Sequence, residues 1–200
     1  MGVIQVVCNR PGAGKTCLIG ALLSNLTQQG KNSGYYKPFS SSAAPDLDVS
    51  FVSQQLLSDS SSQVLTPQPL PSNSGISSIS QLVLNSIGTL AAATDLTLVE
   101  GPDITLDDGH PSSIASDLAS LTDSKAILVV QYESDLDAGT IRTLAEPFQE
   151  RLIGLVINHA LIHRRQEIAH ELIQPLRNSG LPILGAIPED RFMLSVTVQQ

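Results

Sequence analysis

Three consecutive residues, Gly14-Lys15-Thr16, carry the chemistry to hold a phosphate chain. A lysine ammonium at that place supplies a point charge to the β- and γ-phosphates, and a threonine hydroxyl can ligate Mg²⁺. Both need backbone that closes around an anion. From Val3 to Cys8, five of six residues are apolar, which reads as a buried parallel strand. The run breaks at Asn9-Arg10-Pro11-Gly12, passes Ala13, and enters Lys15 and the apolar helical pattern CLIGALLSNL. In a strand, glycine-bearing loop and helix so joined, the loop N–H groups point inward. The helix adds its unpaired N-terminal amides and the positive end of its dipole. The expected nucleotide-binding set is therefore Asn9, Arg10, Gly12, Ala13, Gly14, Lys15, Thr16 and Cys17, with ATP and Mg²⁺ as ligands. A chance match on a surface turn lacks this context.

The loop is a P-loop with two departures. Asn9 stands five residues before Gly14, where the first glycine is usual; Asn is among the few residues that tolerate a left-handed backbone, which would preserve the turn. Arg10 falls where the deviant subclass of P-loops carries a second lysine. As a planar, permanent cation it could reach the phosphates of a partner subunit.

Further along the chain, Gly34-Tyr35-Tyr36-Lys37-Pro38 reads as a short strand ended by proline. Lys37 falls at its carboxyl end, the edge where open α/β sheets bind ligands; the alternative is a solvated lysine beside a turn. Pro45-Asp46-Leu47-Asp48 opens a helix continued by VSFVSQQLL. Both aspartates could serve as caps, or one could ligate metal. Asp95 to Gly101 is an apolar run ending in Glu100 and a glycine. An acid at such a strand end faces the phosphates and can hold Mg²⁺. The metal set expected is Thr16, Asp48 and Glu100. Asp103, Asp107 and Asp108, in the loop beyond, could each stand near the metal, but are read first as solvated loop acids.

The remaining stretches alternate. Helices are expected over Ile76 to Ala93, Pro111 to Leu121, Ala138 to Phe148 and His163 to Ser179, the last kinked by Pro175. The helix after the P-loop should run to about Gln29, stopped by Gly30. Strands are expected over 125–130, 152–158 and 181–188. Residues 58 to 75 form a Ser- and Pro-rich loop with room for a short strand at Val64-Leu65, either a cover near the site or an interaction segment. Apolar strands alternating with helices mean an α/β fold: a parallel sheet with helices on both faces, in one domain over 1–200.

Composition narrows the partners. The net charge of −8 offers no basic face for nucleic acid. No apolar run reaches the length of a membrane span, and no leader is visible before the first strand, so the expectation is a soluble, cytoplasmic protein. Cys8 and Cys17 flank the loop, and a disulfide there would distort it. They are read as reduced core residues. His159, His163 and His170 lie on or near a helix rich in Arg and Glu, and read as a solvated face.

Taken in order, Asn9–Thr16, GYYKP at 34–38, PDLD at 45–48, TLVEG at 97–101, LIGLVIN at 152–158 and PILGAIPED at 182–190 resemble the dethiobiotin synthetase-like P-loop proteins. The likeness is greatest to the N-terminal domain of long-form phosphotransacetylases and its stand-alone relatives. It implies that Lys15 binds phosphate and that Lys37 helps bind a reacting carboxyl group. It implies metal binding by Thr16, Glu100 and Asp48, with Asp46 as the alternate. It implies that Asn158 reads the adenine edge, that Pro188 and Glu189 line the base pocket, and that the protein is a homodimer. Two segments depart from the family pattern: Pro102-Asp103-Ile104 replaces a small, glycine-rich run, and residues 40–46 lack a match. Both would build the second-substrate pocket. No acetyl-transfer domain follows, so that activity is not expected. The function expected first is a nucleotide-dependent regulatory module or weak ATPase. The alternatives are an ATP-dependent synthetase with another carboxylate or amine substrate, and a dimeric interaction protein.

Overall fold

The computed structural model describes residues 2–40, 46–57, 68–69, 80–105 and 112–190. Its centre is a six-stranded parallel sheet built from β1 (Gly2–Cys8), β2 (Ser33–Tyr36), β5 (Leu96–Asp103), β6 (Lys125–Gln131), β7 (Leu152–Ala160) and β8 (Ile183–Pro188), in the order β2-β5-β1-β6-β7-β8. Two further two-residue strands, β3 (Phe39–Ser40) and β4 (Gln68–Pro69), pair with each other. The chain leaves β1 toward β2 and β5, then crosses back over β1 to β6. The carboxyl end of β1 is thus a topological switch point, the crevice where such sheets take ligands.

Alternation along β1 sorts the helices. Val6 and Cys8 pack with Ile19 and Leu23 of α1 (Lys15–Gln28) and with Val52, just beyond α2 (Leu47–Phe51). Val7 belongs to the opposite face, in a core built from α4 (Ile114–Leu121), α5 (Ala138–Ala145) and Ile168, Leu172 and Leu176 of the last helical stretch. On that face α3 (Ser80–Ala93) brings Val83, Ile87 and Leu90 onto Tyr36 and Val99. Helices cover both faces, as the alternation predicts.

Helix ends follow local chemistry. Helix α1 stops at Gly30, whose φ of 69° is left-handed. The Asp46 side chain caps α2, accepting from the N–H groups of Asp48 and Val49. The helix expected over 163–179 is not one regular element. After a 3₁₀ turn it runs as α6 (Arg165–Glu167), a π-helical stretch Ile168–Ile173 and α7 (Gln174–Asn178). Pro175 is the second residue of α7, in its first turn, where a missing N–H interrupts least. The short strand read at 64–65, Asp107, Asp108 and most of the 58–75 loop lie outside the described residues, as do 41–45.

Strand β5 runs two residues past the expected end at Gly101. Register with β1 passes from Val6↔Glu100 to Cys8↔Asp103, one extra residue on β5. This bulge absorbs Pro102, which has no N–H for a ladder. Gly101 is there for space: a Cβ on it would stand 2.6 Å from Gln5 Nε2 and 2.7 Å from Val7 Cγ1. Gln5 cannot yield cheaply, because it is fully buried and donates to the Ala115 carbonyl at 2.9 Å. Gly101→Ala should therefore destabilise by about 1–3 kcal/mol and lower the melting temperature by roughly 2–12 °C. Thermal unfolding followed by circular dichroism measures this, and an unchanged melt would mean that the bulge relaxes freely.

Candidate functional site

The loop from Asn9 to Gly14 is shaped by its own polar contacts. Gly12 and Gly14 have φ of 78° and 97°, conformations that disfavour any side chain. Gly14 has a second constraint, since a Cβ there would meet Asn158 Nδ2 at 2.3 Å. Asn158, at the carboxyl end of β7, donates to the Ala13 carbonyl at 2.8 Å and so holds the loop from below. Asn9 does not take the left-handed conformation expected of it: among the described residues, the non-glycine residues with positive φ are Asp123, Gln149 and His159. Its side chain does the work instead, accepting from the Gln131 N–H at 3.0 Å and tying the loop to β6. Arg10 forms an ion pair with Glu133 in its own chain.

Lys15, Thr16, Lys37, Asp48 and Glu100 line one cavity of about 490 Å³, together with Cys8, Gly12 to Gly14, Cys17, Phe39, Ser40 and Gly101 to Asp103. Residues 9, 10, 158, 188 and 189 do not line it. Glu100 is only 4% exposed. It accepts from the Thr16 hydroxyl at 3.1 Å and from the Tyr35 hydroxyl at 2.7 Å. Burial pushes its carboxyl pKa up, against the pull of Lys37 and Tyr35. The Lys37 ammonium stands among three carboxylates: Asp48 at 2.5 Å, Asp46 at 2.9 Å and Glu100 at 3.8 Å. Burial alone would lower its pKa, but Asp48, Asp46 and Glu100 outweigh that and raise it. Asp46 is likewise disfavoured as an anion by burial, yet Lys37, Ser40 and the Val49 N–H hold it below the usual carboxylate range.

Lys15 pairs with Asp103. Burial would lower the lysine pKa; Cys8, Asp103 and Glu100 together raise it instead. The reading of Asp103 as a solvated loop acid is thus corrected. The bulge carries β5 on until Asp103 stands beside Cys8, whose thiol lies 3.0 Å from its carboxylate. Cys8 is buried, as expected, and Cys17 is exposed, which was not. Helix α1 buries Ile19, Gly20 and Leu23, and Cys17 lies about 200° around the helix from Ile19.

Thr16, Asp48 and Glu100 offer hard oxygen donors, and the Lys37 ammonium already sits against the two carboxylates as a stand-in cation. That donor set fits Mg²⁺, which takes one or two carboxylates and completes its shell with phosphate oxygens and water. Among the described residues, no group of three or more His, Cys, Asp or Glu side chains could hold a metal by itself. His163 and His170 are exposed, in line with the solvated face expected, whereas His159 is half-buried within β7. No helix among the described residues is long and apolar enough to cross a membrane.

These features define the class: a parallel α/β fold with a P-loop at its switch point. The family model AAA_26, described as an AAA domain, matches residues 3–193, and the chain belongs to that family, which includes dethiobiotin synthetase. Among solved structures it is similar to the MinD cell division protein of Aquifex aeolicus (TM-score 0.64, 18% identity, 97% of this chain and 84% of that one). It is similar to a nucleotide-binding protein in complex with ADP from Archaeoglobus fulgidus (0.61, 18%, 96% and 84%). A third is the signal recognition particle 54 kDa protein of Aeropyrum pernix in complex with GDP (0.62, 15%, 94% and 42%). At these identities the likeness shows the fold. No curated protein matches.

The two thiols should separate chemically. Burial pushes the Cys8 pKa up to about 12, whereas Cys17 is exposed. Thiolate is the reacting form. Iodoacetamide at pH 8, followed by peptide mass mapping, should label Cys17 in the folded protein and Cys8 only after unfolding. Equal labelling of both in the folded state would contradict the packing around Cys8.

Proposed function

We propose that this protein binds ATP with Mg²⁺ and acts as a nucleotide-dependent regulatory module or slow ATPase. One observation carries the reading: Lys15, Thr16, Lys37, Asp48 and Glu100, drawn from four separate stretches of sequence, meet around the P-loop cavity. Phosphoryl chemistry there would be electrostatic. The loop amides and Lys15 would take the phosphate oxygens, while Thr16, Asp48 and Glu100 would hold the metal. Mg²⁺ would supply neutralisation of charge on the phosphates. Lys37, which now pairs with Asp48 and Glu100, would be free to face the phosphates if those carboxylates held the metal. Asn158, Pro188 and Glu189 remain proposed for the base side, on the family resemblance. The ADP in the Archaeoglobus relative supports a nucleotide as ligand. A homodimer belongs to the same proposal and is checked by light scattering.

A second reading rests on a different observation. The cavity runs past the cradle to Phe39, Ser40 and Pro102, which leaves room for a second substrate of an ATP-dependent synthetase. Sequence there departs from the dethiobiotin synthetase pattern, and we therefore propose that dethiobiotin is not the product.

Calorimetric titration tests the first reading. Wild type should bind ATP with Mg²⁺. Lys15→Ala should weaken binding by about tenfold or more, and Glu100→Gln should flatten the dependence on Mg²⁺. Incubation with ATP, Mg²⁺, bicarbonate and the diamino-acid precursor should yield no dethiobiotin; stoichiometric turnover would reverse the assignment. Failure to bind any nucleotide would leave the interaction-protein alternative.

A further inference from the structure

We propose that Asp103 is an internal stand-in for phosphate: it holds Lys15 until a metal-complexed phosphate chain displaces it, so the site selects Mg²⁺-bound nucleotide over bare polyphosphate. The inference rests on the nucleotide-binding reading above and adds a selectivity device to that site.

Geometry carries it. The bulge in β5 sets Asp103 opposite Cys8, the last residue of β1 before the loop. A single carboxylate oxygen, Oδ1, contacts both the Lys15 ammonium and the Cys8 thiol. Asp103 lines the same cavity as Gly12 to Cys17, so a phosphate reaching Lys15 competes with that oxygen for the ammonium. The pair is partly shielded, with side-chain exposures of 13% for Lys15 and 25% for Asp103, which strengthens it over a surface pair.

The charge count around the cavity points the same way. Its lining includes two cations, Lys15 and Lys37, and three anions, Asp48, Glu100 and Asp103. Each lysine already has a carboxylate partner. A bare polyphosphate that pulled Lys15 from Asp103 would leave that carboxylate beside the phosphates, with Asp48 and Glu100 across the cavity. Like charges at such range repel strongly when water is scarce. A divalent cation on Asp48 and Glu100 removes most of that repulsion and frees Lys37 to face the phosphates. Metal and nucleotide therefore assist each other, and Asp103 sets how much.

The test is calorimetric titration of wild type, Asp103→Asn and Asp103→Ser with ATP and with inorganic tripolyphosphate, each with and without Mg²⁺. Both variants should bind the metal-free probes about tenfold or more tightly than wild type, and the gap between metal-bound and metal-free affinity should narrow. Tripolyphosphate should show the same change as ATP, because the competition is at the phosphate end. A merely structural role would shift the melting temperature and leave the metal gap intact. Wild type that binds Mg²⁺-ATP, beside variants that bind metal-free probes no better, overturns this inference and leaves the proposed function standing. No binding by any of the three proteins with Mg²⁺ overturns both. If the Asn variant does not fold, the Ser variant decides.

Discussion

Burying Glu100 is the constraint on which this half of the molecule is built. An ionised carboxylate taken out of water needs several close partners, and breaking a buried pair costs about 3–5 kcal/mol because the remaining charge is left alone. The partners of Glu100 come from separate elements: Thr16 from the first turn of α1, Tyr35 from β2, and Lys37 from the segment after β2. Lys37 in turn needs Asp46 and Asp48, which fixes the entry to α2. One buried acid thus determines where a helix start, a strand end and a helix cap meet. The P-loop cavity is the space enclosed between them.

The opposite wall is set by hydrogen bonds to backbone. Asn158 holds the Ala13 carbonyl, Asn9 accepts from Gln131, and the Cys8 thiol reaches the Arg10 carbonyl at 2.9 Å. Three side chains from β1, its following loop and β7 therefore fix a loop whose own conformation would otherwise be loose. Gly14 pays the conformational entropy that lets Asn158 approach so closely. A cradle held in this way spends little of its binding free energy on ordering itself around a ligand.

The parts legible in the sequence were those with a local cause. Gly14-Lys15-Thr16 between a strand and a helix, Glu100 at the end of an apolar run, and the stop at Gly30 each follow from residues a few positions apart. Long-range arrangements were hidden. Gly101-Pro102 reads as the end of a strand, yet a bulge carries β5 on to Asp103, because Gly101 leaves space for Gln5 and the bulge tolerates a proline. The ion pair of Lys15 with Asp103 spans 88 residues and no spacing rule announces it. Asn9 was read through its backbone tolerance, whereas its side chain carries the contact. Cys17 reads, with Cys8, as a reduced core residue, although the helical period turns it outward. The π-helical stretch before Pro175 had no signal beyond the proline itself.

An acidic chain that takes an anionic ligand poses a problem of range. The net charge of −8 disfavours approach of a polyphosphate at a distance, but salt screens that field within about 8–10 Å. Inside that distance the loop amides, the dipole of α1 and Lys15 dominate, and they are fixed in place before any ligand arrives. The same arrangement explains why the cavity can hold three carboxylates without being hostile to phosphate. Glu100 and Asp48 share Lys37, and Asp103 holds Lys15, so the two lysines offset two of the three lining carboxylates until partners are exchanged. The two proposed exchanges, metal for Lys37 and phosphate for Asp103, would be electrically complementary, each leaving exposed the charge that the other covers.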